Sequence, residues 1–426
     1  MKIKALGPLL AVFLGYAVNA HAVALSLQGE SGSLDDSNSN ALYASDSDGE
    51  PVLVTAIGLP APDGGNFSEL GVPSMMPDGR VLFGGETTSK ERKLNWGIYI
   101  GDPNVSPPYR VVRAIDPAPL PKDCAPLLNG DPYAVSDAKG NIAFMSHLPD
   151  KHDALVYYSH GTMTCLARSG GKTNEGHEMA VLSFGSPQMG DNGQVVFNAW
   201  LVYPPDKNDK DAPQGHRQAL LIGSQKNGIT ELAVEGEYGP NHTRYARPLG
   251  LPASMPSAQG TLIAFTAKTA SGSALFLYSN GGMSRILPTG TTTPIGPVSY
   301  LSPGRPGLMA DGTTAVLAGC ARLPVVFRLS HQRLDIRLQR GQLTPFGTEL
   351  ESLGDPVLTA AGAMYIGATD TDGAEKLYVL SGDDSFFEVG EPEMIYKIAM
   401  GSHHHSIFTG TLTVNERGDF AYLGGK

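Results

Sequence analysis

The stretch SDAKGNIAFMS, residues 136–146, joins a short glycine turn to an apolar strand, and it decides the fold because it recurs. Related stretches are GDNGQVVFNA at 190–199 and SAQGTLIAFTA at 257–267. The turn glycines follow one another at intervals of 50 to 67 residues, at Gly79, Gly140, Gly193, Gly260, Gly312, Gly362 and Gly418. A repeat longer than about 40 residues that contains only strand signals is typical of a β-propeller blade.

Each repeat predicts four β-strands. The run after the turn glycine is the second strand, ALVYY at 154–158 exemplifies the third, and ELAVEG at 231–236 exemplifies the fourth. In four units a proline lies six residues before the turn glycine, in a short apolar run that we interpret as the innermost strand: Pro73, Pro187, Pro306 and Pro356. Runs rich in Val, Ile, Tyr and Phe, bounded by turn residues, predict one four-stranded antiparallel sheet per unit. The fold class is therefore all-β, a seven-bladed β-propeller.

The two ends of the chain carry complementary halves of one repeat. The seventh unit stops after its second strand, and residues 40–62 match the third and fourth strands of the other units. We expect the last blade to join residues near Leu412–Leu423 with residues near Ala41–Ile57. Such a blade closes the ring and removes the exposed sheet edges of an open repeat array.

The first 22 residues have the pattern of a secretory signal peptide. Lys2 and Lys4 supply a positive start, residues 6–18 are mostly apolar, and Ala20-His21-Ala22 matches a small-x-small cleavage site. The apolar run is too short to cross a bilayer as a permanent helix. We therefore expect cleavage after Ala22, a periplasmic or secreted mature protein, and no membrane insertion.

Composition favours one exported domain without affinity for nucleic acid. Residues 23–39 are rich in Ser, Asp, Asn and Gly, and predict a flexible lead-in before a single propeller domain at 40–426. The net charge of −11 and the pI near 5.4 disfavour nonspecific binding to nucleic acid or anionic membranes.

Three cysteines leave the disulfide pattern open. Cys124 and Cys165 belong to the same unit, where a bridge between them would have to span the blade. Cys320 follows a second strand and is interpreted as a small buried apolar residue.

Loop lengths divide the propeller into a plain face and an elaborated face. Connections between strands one and two, and between strands three and four, are short turns. The connections on the other face carry nearly all the insertions, at residues 86–95, 147–153, 202–217, 236–248 and 400–406. Because function on repeat scaffolds usually resides in variable loops, we expect the site on the elaborated face.

Histidines and aromatic residues are concentrated in those loops. The candidate ligand-binding residues are Trp96, His152, His177, His216, Tyr238, His242, Arg244 and Tyr245. Carboxylates next to His152, His177 and His216 would suit a metal site or a general base, and the candidate metal ligands are His152, His216 and His403. The alternative is that they are solvated loop residues, because no HExxH-like ligand spacing is present. No particular cofactor follows from this pattern.

The units DNGQVVFNA, AKGNIAFMS and AQGTLIAFTA, with the strands that follow them, resemble the tandem NxxGxxAF repeat family of exported bacterial proteins. The resemblance covers residues 40–426, although Gly312 and Gly362 are followed by strands that lack the Phe. It implies a periplasmic or secreted repeat protein and no particular reaction.

Two classes of function remain open. The favoured hypothesis is a noncatalytic binding module that holds a protein or carbohydrate ligand on its elaborated face, because no catalytic motif is found and propellers serve many functions. The rival is a secreted metal-assisted hydrolase or lyase acting on a carbohydrate or another polymer, with the loop histidines and carboxylates as metal ligands or as acid and base.

Overall fold

Seven antiparallel sheets make up the part of the chain that the computed structural model describes. Asn40–Lys426 forms one compact unit, and residues 1–39 lie outside the described residues. The described residues are 40–45, 49, 51–62, 64–88, 94–106, 111–115, 133–147, 153–182, 187–203, 215–258, 260–331, 333–371, 373, 375–381, 385–389, 412–415 and 417–425.

Each sheet is one blade, and its strands are named here from the innermost outward. Blade 1 contains β3 (Asn66–Leu70), β4 (Ser74–Met75), β5 (Val81–Thr88), β6 (Leu94–Gly101) and β7 (Val111–Arg113). Blade 2 contains β8 (Ala134–Ser136), β9 (Ile142–His147), β10 (Asp153–Ser159) and β11 (Thr162–Arg168). Blade 3 contains β12 (Glu178–Leu182), β13 (Gln188–Met189), β14 (Val195–Tyr203), β15 (Gly215–Ser224) and β16 (Gly228–Val234).

The remaining blades follow the same plan. Blade 4 contains β17 (Tyr245–Leu249), β18 (Ala253–Ser257), β19 (Gly260–Thr269), β20 (Gly272–Ser279) and β21 (Gly282–Pro288). Blade 5 contains β22 (Thr292–Thr293), β23 (Gly296–Leu301), β24 (Gly307–Leu308), β25 (Thr314–Cys320), β26 (Leu323–Ser330) and β27 (Arg333–Gln339). Blade 6 contains β28 (Leu350–Leu353), β29 (Val357–Leu358), β30 (Met364–Asp370), β31 (Glu375–Leu380) and β32 (Phe386–Val389).

Blade 7 is built from both ends of the chain, as the sequence predicts. Its order is β33 (Thr413–Val414), β34 (Phe420–Gly425), β1 (Asn40–Ser45) and β2 (Pro51–Ala56). β1 and β34 pair from Asn40 opposite Gly425 to Ala44 opposite Ala421. The all-β seven-bladed propeller and its mode of closure are thereby confirmed.

The innermost strand is interrupted in most blades, which the sequence analysis did not predict. Pro73, Pro187, Pro306 and Pro356 lie in the gap between its two halves, for example between β3 and β4. Proline has no N–H to donate to a ladder, so it fits a break in an edge strand better than the strand itself. The apolar run that was interpreted as the innermost strand is therefore only its second half.

The seven predicted turn glycines all have positive φ, from 71° at Gly193 to 101° at Gly260. In five of these turns the glycine N–H donates to the carbonyl three residues earlier, as from Gly140 to Asp137 at 3.1 Å. This left-handed conformation is readily adopted by glycine, which explains the repeated residue.

An apolar cluster fills each junction between neighbouring blades. In each cluster buried side chains from two adjacent sheets pack together, as shown by the pairs Leu82 and Phe144, Leu155 and Phe197, Val196 and Phe265, Leu275 and Phe327, Val326 and Ile366, Leu377 and Tyr422, and Leu42 and Phe83. The last of these pairs lies at the junction of blades 7 and 1, so the closing blade shares the core of its neighbour.

Arg305 connects innermost strands on different sides of the ring. It lies between β23 and β24 of blade 5, and its Nη1 donates to the Tyr133 hydroxyl, next to β8 of blade 2, at 3.0 Å. Its Nε donates to the Pro252 carbonyl of blade 4 at 3.0 Å. Because innermost strands surround the axis of a propeller, this side chain crosses the central channel.

Cys165 takes part in a disulfide, whereas Cys320 is a buried free thiol. The first observation supports the bridge hypothesis, although Cys124, the partner it names, lies outside the described residues. The second confirms that Cys320 is a small buried residue.

Helical structure in the described ranges comprises the 3-10 turns Asp191–Gly193 and Pro240–His242. None of the helices in these ranges has the length and apolar character needed to cross a membrane.

Candidate functional site

The connection from blade 3 to blade 4 is a hairpin rather than the loop expected at residues 236–248. The Gly236 N–H donates to the Tyr245 carbonyl at 2.9 Å, and the Gly239 N–H donates to the Thr243 carbonyl at 2.8 Å. Tyr238 pairs with Arg244 between these two bonds. Corresponding pairs precede blades 1, 3 and 6, so the hairpin is a repeated element that sequence reasoning missed: Pro60 with Asn66, Lys172 with Glu178, and Leu343 with Glu349.

One side of this hairpin presents polar and aromatic groups to solvent. Tyr238 is 68% exposed, and the Arg244 guanidinium lies 5.9 Å from the centre of its ring. The Arg244 Nε donates to the Gly236 carbonyl at 2.7 Å, which holds the side chain along the hairpin. His242 is exposed at the tip.

A second guanidinium–aromatic pair involves Arg247, three residues after Arg244. The Arg247 guanidinium lies 5.2 Å from the Trp200 ring centre, within the range of a cation–π contact. Its Nε donates to the Glu235 carboxylate at 2.6 Å, and the Gln218 backbone N–H donates to the other oxygen of Glu235 at 3.1 Å. The Glu235 side chain is only 6% exposed, whereas that of Arg247 is 51% exposed. A buried carboxylate thus fixes a solvent-facing guanidinium above an aromatic plane.

We call these two pairs, with His216, the Arg247 surface: Trp200, His216, Tyr238, Arg244 and Arg247. His216 is exposed on β15 opposite Val202 of β14. It is two residues from Gln218, which is opposite Trp200, so these side chains point to the same side of blade 3. Planar guanidinium groups and aromatic rings in this arrangement suit carboxylates, amides and the apolar faces of sugars.

A second polar cluster lies on the opposite side of blade 3, and we call it the Glu231 cluster: Thr173, His177, Tyr203, Glu231 and Glu237. The Glu231 side chain is 6% exposed. Its carboxylate accepts hydrogen bonds from the Thr173 hydroxyl at 2.6 Å and the Tyr203 hydroxyl at 3.1 Å. It also lies 2.9 Å from Nδ1 of His177. These contacts attach the connection from blade 2 to the outermost strand of blade 3.

Tyr203 is the centre of the Glu231 cluster. Its ring stacks on His177 with ring centres 3.9 Å apart, and the Arg217 guanidinium lies 4.0 Å from its ring centre. Its hydroxyl lies 3.0 Å from Glu237 in addition to Glu231. Burial, and then the neighbouring charges of Glu237 and Glu231, raise the pKa of Tyr203 far above its usual value. The phenol therefore keeps its proton, which can be donated to only one of the two carboxylates at a time.

The structure separates the residues that the sequence analysis grouped. Tyr238, His242, Arg244 and His216 lie at the edge between blades 3 and 4, whereas His177 belongs to the Glu231 cluster. Trp96 is on β6 of blade 1, opposite Glu86. Tyr245 begins β17 and is buried against Phe265 and Phe276, so it is a core residue, and burial raises its pKa to about 12.

The metal hypothesis is left without a described site. His152 and His403 lie outside the described residues, as do His404 and His405. Within the described ranges, no group of three or more His, Cys, Asp or Glu side chains is placed to hold a metal ion. The candidate set of His152, His216 and His403 stays a prediction.

Trp200, Glu235, Tyr203 and Glu231 were missed because their role depends on neighbours from other strands. Trp200 and Arg247 are far apart in sequence and meet only because blades 3 and 4 are adjacent. Gly239 is a local signal for the tight hairpin, because a Cβ at this position would overlap the Tyr245 ring.

Residues 109–369, more than half of the chain, match the model of a family described as "Family of unknown function (DUF7453)". The chain belongs to this family. The finer assignment to the NxxGxxAF repeat family is not confirmed, whereas the propeller-like repeat architecture is. A comparison with curated proteins found no match.

Solved structures match this chain at low sequence identity and with TM-scores below 0.5. A puromycin-hydrolyzing peptidase of Mycobacterium tuberculosis is 11% identical with a TM-score of 0.46, over 82% of this chain and 48% of the peptidase. This chain thus spans about half the length of that peptidase. The BP39L lectin of Burkholderia pseudomallei is 12% identical with a TM-score of 0.41, over 84% and 98% of the two chains. The Aleuria aurantia lectin is 8% identical with a TM-score of 0.36, over 76% and 94%.

Proposed function

We propose that this protein is an exported, noncatalytic binding module that holds a carbohydrate or peptide ligand on the Arg247 surface. The observation that carries the proposal is the pair of guanidinium–aromatic contacts, Arg247 with Trp200 and Arg244 with Tyr238, at one edge of the ring. The buried Glu235 carboxylate holds Arg247 in place in the free protein. Less side-chain freedom is then lost on binding, which favours affinity.

The chemistry of this surface selects its ligand. An aromatic plane binds the apolar face of a sugar ring or an aromatic side chain, and an adjacent guanidinium donates paired hydrogen bonds to a carboxylate or carbonyl. Tyr238 is exposed and Trp200 is half-buried, so the aromatic ring of each pair is accessible from solvent. Both features are met by oligosaccharides and by extended peptides.

Tryptophan fluorescence provides a direct test, because the chain has only two tryptophans, Trp96 and Trp200. In a Trp96→Phe protein the emission comes from Trp200 alone. A panel of oligosaccharides and unstructured peptides should contain a ligand whose addition changes that emission. Arg247→Ala and Tyr238→Ala should each weaken its binding about tenfold or more.

Tyr300→Ala is the matched control, since Tyr300 is also an exposed tyrosine, 45% exposed, but lies on β23 of blade 5. It should bind as the parent does. A ligand whose affinity is unchanged by Arg247→Ala and Tyr238→Ala would remove the Arg247 surface as the binding site.

Export is part of the proposal and rests on the N-terminal pattern of residues 1–22. We expect the mature protein to begin at Val23 and to be found in the periplasm or the medium. Mass spectrometry of the protein recovered from a producing cell measures this directly. A product that keeps Met1 inside the cytoplasm would contradict it.

A second candidate is a hydrolase or lyase, and the specific observation in its favour is the His177–Glu231 contact. A carboxylate at Nδ1 orients an imidazole so that Nε2 can act as a base. If the purified protein cleaves a polysaccharide, His177→Ala and Glu231→Gln should abolish cleavage while Arg247→Ala leaves it intact. Metal analysis of the same preparation tests the metal-assisted form of this hypothesis, with His152, His216 and His403 as the ligands to replace.

A further inference from the structure

Two clefts open on the plain face of the propeller, between neighbouring blades. The first lies between blades 3 and 4 and has a volume of about 230 Å³. The second lies between blades 4 and 5 and has a volume of about 210 Å³. Both are formed by the short turns at the ends of the strands, on the face opposite to the long connections. They are therefore separate from the Arg247 surface.

The first cleft is lined by neutral groups that form hydrogen bonds. Asn192 and Gln194 contribute from the turn before the second strand of blade 3, and Thr261 and Asn280 contribute from blade 4. The Gln194 Oε1 accepts a hydrogen bond from the Thr261 hydroxyl, which fixes the orientation of this amide across the junction. Carboxamides and hydroxyls both donate and accept, as the hydroxyls of a sugar do.

The same cleft has an apolar wall. Tyr278 of β20 lies along it, and Ile222 of β15 lies on the blade 3 side. Both side chains are half-buried. Among the described residues that line the cleft none has a charged side chain, so this part of the lining offers an ion no counter-charge.

We propose that the cleft between blades 3 and 4 binds a neutral sugar ring, with the ring face against Tyr278 and the hydroxyls bonded to Gln194, Asn280 and Thr261. The volume is smaller than the 300–1,000 Å³ of typical drug-sized sites. It suits one monosaccharide unit rather than a larger ligand. The affinity expected for so few atoms in an open cleft is in about the millimolar range.

The second cleft, between blades 4 and 5, shows which residues distinguish the first cleft from it. Its described lining includes Leu262, Leu277, Ser257, Ser279 and Asp311 and contains no aromatic side chain. In blade 5 the positions that correspond to Tyr278 and Asn280 are Leu329 and His331, and both Asn280 and His331 have left-handed φ, 51° and 46°. Tyr278→Leu and Asn280→His therefore copy side chains that the same scaffold already accepts.

The test is a titration of the full-length protein with free glucose, galactose, mannose, fucose and N-acetylglucosamine, followed by saturation-transfer NMR. Glucuronate serves as the charged comparison. At least one neutral sugar should bind, and glucuronate should bind more weakly. Tyr278→Leu and Asn280→His should each reduce the affinity about tenfold. Ser279→Ala, in the second cleft, should have no effect.

Arg247→Ala separates this inference from the proposed function, because the two sites lie on opposite faces. Sugar binding that survives Arg247→Ala and is lost in Tyr278→Leu supports the cleft. Binding that is lost in Arg247→Ala and kept in Tyr278→Leu overturns the cleft and supports the Arg247 surface. Absence of binding by every neutral sugar also overturns the inference.

Discussion

Buried charge in this protein is satisfied by a few side chains with several partners each. Glu231 has three side-chain partners from two separate segments, Thr173 and His177 in the connection from blade 2 and Tyr203 on β14, and Glu235 joins Arg247 to the backbone of Gln218. In blade 6, Lys376 lies 3.3 Å from both Asp370 and Glu388. A buried ion pair is costly to break, because the partner left behind is desolvated and unpaired. Replacing such a residue therefore measures how much its contacts stabilise the fold.

Glu231→Gln should destabilise the fold by about 1–3 kcal/mol, because an amide cannot replace a buried carboxylate that has the Thr173 and Tyr203 hydroxyls and the His177 ring as hydrogen-bond partners. Chemical denaturation measures the loss. Glu178→Gln is the control, since Glu178 is exposed on the nearby strand β12, and it should change stability by less than about 0.5 kcal/mol. Equal stabilities for the two variants would mean that the Glu231 contacts contribute nothing.

Asp355 makes stability depend on pH. Burial raises the pKa of Asp355 above its usual 3.8, and the Ser302 hydroxyl and Arg305 offset only part of that effect. The folded state therefore holds this proton more tightly than the unfolded state. Its contribution to stability is largest below about pH 4 and falls as pH rises through the raised pKa.

Asp355→Asn removes the titrating carboxyl and with it the loss of stability at higher pH. The variant should gain stability relative to the parent as pH rises from about 4 toward 7, and the gain should disappear below about pH 4. Thermal melts across that range measure the difference. A gain that is largest at the acid end would contradict the sign of the pKa shift.

At the scale of elements, the turn between the first and second strands sets the repeat. Gly140 has φ of 78°, and a Cβ added there would meet nothing within 4 Å. Backbone strain is therefore the only penalty for a side chain at this position. At Gly79 an added Cβ would also overlap the Arg417 side chain of blade 7.

Gly140→Ala should destabilise the protein by about 1 kcal/mol, because alanine disfavours the left-handed conformation. Gly140→Asn should cost less, since asparagine tolerates that conformation better. Denaturant midpoints of the two variants test the order. If alanine were the milder replacement, conformational strain would not be the reason for glycine in these turns.

At the scale of the whole molecule, ring closure joins the two termini. Beyond the pairing of β1 with β34, the Thr413 hydroxyl accepts from the Met75 N–H at 3.0 Å, and the Asn415 amide donates to the Met76 carbonyl at 2.9 Å. Blade 7 is thereby bonded to blade 1 on the plain face. Leu42 of β1 is fully buried in the cluster that these two blades share.

Deletion of residues 40–62 should expose the edge of β34 and open that cluster, with unfolding or aggregation as the result. Leu42→Ala is the milder test and should cost about 2–5 kcal/mol. Light scattering and thermal melts follow both variants. A deletion variant that stays monomeric and melts with the parent would show that closure does not support the ring.

The sequence by itself determined the architecture. Turn glycines at a regular interval, strand-like apolar runs and complementary end segments can all be recognised along the chain, and together they predict a closed ring of seven four-stranded blades. Strand-level detail was less accessible. Where the innermost strand breaks depends on its pairing with the second strand, and the hairpins between blades, whose paired residues lie only six positions apart, carry the polar and turn residues typical of a loop.

The sites were decided only by the tertiary structure. Trp200 and Arg247, like Gln194 and Thr261, belong to neighbouring blades and meet because the ring brings separate sheets edge to edge. Sequence reasoning grouped residues by loop, whereas contact depends on which side of a blade a side chain faces. A single step along a strand reverses that side, so His216 and Arg217, adjacent in the chain, point to different neighbours.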